Sequence, residues 1–193
     1  MLNIRTNIDK FVKVEIKKYV ASINAATIST SNKLAKQGLV EAKRRIRNEY
    51  SVKLSDLNKD SRGHEIMYTE NTRSVNTSAK IVAVGRGISL GKFKARQKKT
   101  GVEVQVHVGR KKLIKHAFGP RMQRLGKGVW ARFDPNIIGA YFERSGRLPI
   151  YRFYGPSPAR MLQYRSINKN TIDYIRSRYP VVYEQEFKYR MSK

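Results

Sequence analysis

Residues 101–118 read "GVEVQVHVGRKKLIKHAF", and the first half of that stretch decides the kind of fold to expect. Val102, Val104, Val106 and Val108 alternate with Glu103, Gln105 and His107. A period of two in β-branched residues marks a half-buried strand, so the four valines are expected to face a core. Gly109, followed by Arg110, Lys111 and Lys112, supplies a turn. Residues 113–118 can then pair back as a second strand, with Leu113 and Phe118 in the core and Gly119-Pro120 as its end. The charge around this hairpin is one-sided: residues 91–115 hold nine Lys or Arg against the single acid Glu103. The cations gather at the two ends, in "KARQKKTG" (94–101) and "GRKK" (109–112). A run of this kind is usually a solvated loop. Composition moves that balance.

The chain has 193 residues, with 41 Lys plus Arg against 14 Asp plus Glu and a formal charge of +27. Solubility of a small domain asks for a net charge of only about 2 to 8. The surplus implies an acidic partner: nucleic acid, an anionic membrane or an acidic protein surface. Hydrophobic residues make up 40% of the chain, and a chain of this length buries about 70% of its extended surface. One α+β domain over 1–193 is therefore expected. The absence of cysteine rules out disulfides and thiolate metal sites and suits a reducing compartment. The opening "MLNIRTNIDKFVKVEIKK" (1–18) is threaded with lysine and has no apolar h-region, and no later window is apolar enough to span a bilayer. A soluble, unexported chain is expected.

Working outward from the hairpin, residues 7–49 predict helix. Ile8, Phe11, Tyr19, Ile23, Leu34, Ala42, Ile46 and Tyr50 recur near helical spacing. The centre, "ASINAATISTSNKLAKQG" (21–38), is rich in Ala, Ser and Thr and suits close packing on another helix, and Gly38 is a point where the segment could divide into two helices. Lys43, Arg44, Arg45 and Arg47 are expected on its outer side. Residues 51–80 are polar and turn-rich, with one short helix expected near 54–59. They separate a helical part (1–60) from a sheet part (76–156), whose strands begin at "AKIVAV" (79–84).

The glycines of "GRGISLGKF" (85–93) fit no phosphate loop, since Phe93 stands where a magnesium-binding Ser or Thr belongs. They fit no dinucleotide fingerprint either, because Leu90 occupies its third glycine, so they read as turn residues. "GVWARF" (128–133) and "RLPIYRFYGP" (147–156) predict two further strands, with Pro149 suited to an edge or a strand start. Ser157-Pro158 is a helix start, Ser as N-cap and Pro in the first turn, and opens the C-terminal helices of 157–193. In 171–191, Ile172, Ile175, Tyr179, Val182, Glu186 and Tyr189 keep helical spacing, while Pro180 is expected to kink the helix or start a new one. The expected fold class is α+β: N-terminal helices, a small antiparallel sheet in the middle, C-terminal helices.

Candidates for catalysis are few. His64, His107 and His116 lie on a loop and two strands without metal-ligand spacing, although His107 and His116 could face each other across the hairpin. Glu184 and Glu186 fall on opposite sides of a helix, and Asp134 precedes a proline turn. No catalytic residue, cofactor or metal site is expected, and the chain is not expected to be an enzyme.

Several marks come in a particular order: "ASINAAT", the basic "KRRIRNEY", then "ISLGKFKARQKKTGVEVQVHVGRKKLIKHAFGPRM", "GVWARF", "RLPIYRFYGPSPARML" and a basic last helix broken at "RYPVV". Together these resemble the minor tail protein Z family of tailed phages, the tail completion or neck proteins. The resemblance covers most of the chain. Its most telling parts are the basic-turn hairpin ending in "HAF" and "LPI" followed by "YGPS"; residues 51–75 match nothing in it. It implies a non-enzymatic virion protein of the tail or neck, assembled in the host cytoplasm and acting at the head-proximal end of the tail. Its implied partners are further copies in a homo-oligomeric ring, other neck and tail proteins such as a tail terminator and a head–tail connector, and phage DNA in non-specific contact, with no membrane.

On this view Lys94, Arg96, Lys98, Lys99, Arg110, Lys111 and Lys112 are candidates to touch DNA phosphates or acidic neighbours, and Tyr151, Phe153 and Tyr154 are candidate subunit contacts. The alternative from another class is a cytoplasmic nucleic-acid-binding protein of ribosomal or architectural type. Against it, the aromatics concentrate in 141–154 and the last helix, away from the densest lysine runs. A cationic membrane-surface protein would need a broad apolar helix face that the sequence lacks.

Overall fold

The computed structural model describes residues 8–59, 63–119, 128–132 and 150–192, with side chains from Val12 onward. Pro120, the turn at Asp134, the aromatics before Ile150 and Pro149 lie outside the described residues. The architecture is α+β: a long N-terminal helix, small antiparallel sheets in the middle and helices at the C-terminal end. In order these are α1 (Ile8–Glu49), α2 (Ser55–Asn58), β1 (Met67–Glu70), β2 (Lys80–Ala83), a 3₁₀ turn (Leu90–Lys92), β3 (Arg96–Lys98), β4 (Gly101–Val104), β5 (Lys112–Lys115), β6 (Trp130–Arg132), β7 (Ile150–Arg152), α3 (Pro158–Gln163) and α4 (Arg165–Met191). Among the described residues the middle holds three small sheets, β1-β2, β3-β4-β5 and β6-β7, where the sequence led us to expect one. The chain forms two compact units, and α1, β1, β2 and α4 each run through both.

The first unit comprises Met1–Glu41, Thr69–Ile81 and Lys169–Lys193. The Ser and Thr hydroxyls inside the helix are satisfied one turn back rather than competing for the ladder: Thr27 donates to the Ile23 carbonyl and Ser31 to the Thr27 carbonyl, each at 2.9 Å. Ala26, Thr30, Leu34, Ala35 and Gly38 are buried. Gly38 does not divide the helix. A Cβ there would stand 2.6 Å from Ile175 Cδ1 and 3.2 Å from Ile81 Cδ1, so the glycine is the notch that admits those side chains. Its intrinsic cost of about 1 kcal/mol in a helix interior is offset by that packing. The side-chain amide of Asn32 clamps the loop after β1, donating to the Thr72 carbonyl at 2.9 Å and accepting from the Thr72 N–H at 2.8 Å.

Pro180 starts no new helix either, because α4 is continuous from Arg165 to Met191 with the proline inside it. An interior proline costs roughly 3 kcal/mol. Thr171 is buried before it and Val182 and Glu186 after it, and this burial on both sides holds the two halves as one element.

The second unit comprises Ala42–Tyr68 and Val82–Asn168. Its core gathers Ile46, Leu57, Phe93, Val102, Val129 and Met161, each nearly sealed from solvent, and each such side chain stabilises the fold by about 1.5–3 kcal/mol. Lys43, expected on the outer side of α1, is half-buried: its ammonium donates to Asn58 Oδ1 at 2.9 Å and to the Met67 carbonyl at 3.1 Å. Burial lowers its pKa, with the Glu65 carboxylate pulling the other way. Arg45 is also half-buried, while Arg44 and Arg47 are exposed. The reason is local, since Ala42 and Ile46 turn inward here and carry Lys43 and Arg45 with them. Ser157 caps α3 as expected, its hydroxyl accepting from the Arg160 N–H at 3.2 Å with Pro158 in the first turn.

The hairpin departs from its expected outline at three places. "KARQKKTG", read as a loop, contains β3, which pairs with β4 in the register Arg96↔Glu103, Gln97↔Val102 and Lys98↔Gly101. β4 then stops at Val104, with β5 opposite it in the register Val102↔Ile114 and Val104↔Lys112. Beyond Val104 the backbone finds other partners: Gln105 N–H bonds the Phe93 carbonyl, the Val106 carbonyl accepts from Ser51 N–H, and Val108 N–H bonds the Glu49 carbonyl. The chain has left its sheet to lie along the end of α1. Val102 and Val104 are core at 0% and 2% exposure, Val106 and Phe118 are half-buried, and Val108 and Leu113 face solvent at 51% and 41%. The alternating pattern thus predicts the buried face only as far as the ladder runs.

Candidate functional site

Two features of the backbone make the β3-β4-β5 meander a fixed platform. Val102 and Val104 anchor its inner face. Gly101 lies so close to β5 that a Cβ there would stand 2.1 Å from the Ile114 carbonyl oxygen, a position only glycine fits. Directly opposed residues share a face in an antiparallel ladder. The outer face therefore carries Arg96, Lys98, Glu103, Leu113 and Lys115, and the inner face Gln97, Val102, Val104, Lys112 and Ile114.

All seven candidate cations are exposed, and the register sorts them into two groups. Lys98 and Lys99 join Lys115 at the Gly101 end. Arg110, Lys111 and Lys112 stand at the Val104 end, with Lys94 and Arg96 where the chain enters β3. Lys94 has a left-handed backbone at φ 46°, a conformation that costs a non-glycine residue about 1–2 kcal/mol. Glu103 is the sole acid of the meander; Lys111 Nζ reaches it at 3.8 Å and Arg96 opposes it on the next strand. The two ends are about 10 Å apart along β4, close to the screening length at physiological salt. Screened exposed charges at that separation add little to one another, so each end presents its own positive patch.

A cleft of about 480 Å³ opens beside the Val104 end. Leu90, Val104, Val106, Ile114 and Phe153 line its apolar part, and His107, Arg110, Lys111 and Lys112 its polar part. Leu90 and Phe153 reach it because residues 88–90 and 153–155 bond as strands do: Leu90 N–H to the Phe153 carbonyl at 3.1 Å and Gly155 N–H to the Ile88 carbonyl at 2.7 Å. A second cleft of about 450 Å³ includes Asp56, Glu65, Arg86, Lys92 and Arg152. There the charges are mixed, and Lys92 bonds Asp56 at 2.7 Å.

The three aromatic candidates do not share one surface. Tyr151 and Phe153 are half-buried and meet edge to face with centroids 5.0 Å apart. Tyr154 points to the other side and is exposed, with the Arg152 guanidinium 5.7 Å from its ring and 5.4 Å from Trp130. Arg152 Nε also donates to Ser89 Oγ at 3.0 Å. Sequence reasoning missed Arg152, Leu90 and Ile114 as site residues. The alternation around Ile114 was a usable signal; the meeting of Leu90 with Phe153 was not, since they are far apart in the chain.

The histidines do not meet. His107 Nδ1 lies 3.0 Å from Glu49 Oε1 with its ring 4.6 Å from Tyr50, whereas His116 stands at the opposite end of the hairpin, its backbone N–H donating to the Thr100 carbonyl. Burial, then the Glu49 carboxylate and Tyr164, raise the Tyr50 phenol pKa. Glu184 and Glu186 are separated as expected, each held by a lysine: Lys188 and Lys33 respectively. Among the described residues no three His, Asp or Glu side chains are grouped as metal ligands would be, and no helix is long and apolar enough to cross a membrane. Set against protein-family models, curated proteins and solved structures, the chain matches none of them.

Proposed function

We propose that this chain is a structural virion protein of a tailed phage that completes the head-proximal end of the tail and enables head–tail joining around the DNA channel. The observation that carries the proposal is the meander: exposed cations on both ends of short strands whose inner valines are fixed in the core. The resemblance of the order of sequence marks to tail completion proteins supports it, and so does the formal charge of +27. In this reading the protein acts without turnover. Its partners are further copies in a ring, a tail terminator, a head–tail connector and, without sequence preference, the DNA that passes through the channel. Docking to acidic neighbours is the indispensable part, because tight phosphate binding would hinder ejection.

The test is complementation of a phage that lacks the protein by a triple variant, Lys98→Gln, Lys99→Gln and Lys112→Gln. Joined particles are expected to fall while the purified variant keeps its fold. Normal joining and normal infectivity would remove the meander from both roles. The second reading, a cytoplasmic nucleic-acid-binding protein, draws on the same charge and on the Arg152–Trp130–Tyr154 cluster. Co-sedimentation with ribosomes would favour it.

A further inference from the structure

The Val104 end of the meander combines two chemistries that a phosphate backbone does not ask for together. Val106, Ile114 and Phe153 form an apolar recess, and Arg110 and Lys112 stand beside it; no Asp or Glu is among the described residues that line the cleft. Duplex DNA would use the cations and leave the recess wet. A space of about 480 Å³ is the size of a small-ligand pocket, which accepts one or two large side chains and excludes a whole helix or duplex. Among the described residues β5 is also an edge strand of its sheet, and an edge strand offers backbone partners to an extended chain laid beside it.

We propose that this cleft binds an extended acidic segment of a partner protein, with one large apolar side chain of that segment in the recess and flanking carboxylates on Arg110 and Lys112. The inference rests on the assembly reading above, in which the meander meets acidic neighbours, and names what those neighbours present. Lysines on an edge strand can serve simply to prevent edge-to-edge pairing. That role would leave the recess without an occupant, and the test separates the two.

The probe is a fluorescent synthetic peptide of about ten residues, rich in Glu around a central Leu-Phe pair, titrated with the full-length protein and read by anisotropy. A control peptide replaces Leu-Phe with Ser-Ser. The Leu-Phe peptide is expected to bind roughly tenfold more tightly than the control. Ile114→Gln is expected to abolish that preference, and Lys112→Gln to weaken both peptides and flatten their salt dependence. Because Ile114 also packs within the sheet, Val106→Phe, which fills the recess from a half-buried position, is the second variant and should have the same effect as Ile114→Gln.

Equal binding of the two peptides, or a Leu-Phe preference that survives both recess variants, overturns the proposal and leaves a general anion surface. So does duplex DNA binding as tightly as the Leu-Phe peptide with Ile114→Gln inert. Lost peptide discrimination alongside failed head–tail joining of the triple variant overturns the cleft and spares the assembly reading. Intact discrimination alongside normal joining does the reverse.

Discussion

At the scale of single residues, two valines of one alternating run have opposite fates. Val104 is sealed in the core while Val108, four residues on and expected to match it, is half-exposed. Val104→Asp places an unpartnered charge in the interior and should cost several kcal/mol, enough to leave the chain insoluble. Val108→Asp should change stability by no more than about 0.5 kcal/mol. Urea midpoints of the soluble variants, with Val104→Ala at a cost of about 2 kcal/mol as the milder probe, measure the contrast. Equal tolerance at both positions would mean the ladder runs on past Val104.

Glu186 gives a residue-scale pH dependence. Lys33, then Ser29, bonds its buried carboxylate and holds its pKa below the usual glutamate value. A lowered carboxyl pKa contributes stability that is complete above the unfolded value of about 4.3 and is lost as pH falls through the folded one. Solvent around Lys33, whose side chain is largely exposed, limits the contribution to about 0.5–1 kcal/mol. Glu186→Gln should therefore lower the melting temperature at pH 7 and converge with the parent as pH falls below the lowered folded value. A constant gap across that range would show that the lost interaction is not ionic.

At the scale of elements, the notch in α1 decides how it meets α4. Gly38→Ala would ordinarily stabilise a helix by about 1 kcal/mol. Here the new methyl meets the terminal Cδ1 of Ile175 at 2.6 Å and that of Ile81 at 3.2 Å, so both side-chain ends must shift and the substitution should gain less than that. Ile175→Val deletes that terminal carbon. The double variant should be more stable than the sum of the single changes by at least about 0.5 kcal/mol, measured by chemical unfolding. Strict additivity would mean that Gly38 and Ile175 are not in contact.

At the scale of the whole molecule, a charge of +27 makes some DNA binding unavoidable, and the useful measurement is its dependence on salt. If Lys98, Lys99 and Lys112 each neutralise a phosphate, the log of affinity against log salt should lose about 0.9 in slope for each one replaced by Gln, or roughly three in all. An unchanged slope assigns the contact to the remaining cations and leaves these three lysines to protein partners. The same purified chain should show no hydrolytic or nucleolytic turnover. An activity abolished by a single substitution at His64, His107 or His116 would contradict that expectation.

Whatever depends on neighbours along the chain was legible before any fold was known. Helical spacing marked α1, "SP" marked the start of α3, and the alternating valines marked β4, because local sterics and burial periodicity act over a few residues. The +27 charge and the gathering of cations at the hairpin ends were legible as well. Where those patterns stop is set by contacts between distant segments. Val108 faces solvent because the backbone after Val104 bonds Phe93, Ser51 and Glu49 rather than β5, and Gly38 stays helical because Ile175, 137 residues later, fills its notch. The cleft belongs to the same class, since Leu90 and Phe153 reach Ile114 only through contacts that the intervening chain does not encode locally. Long-range contacts carry no periodic signature, so a reading confined to neighbours finds the charges of the site and misses the recess beside them.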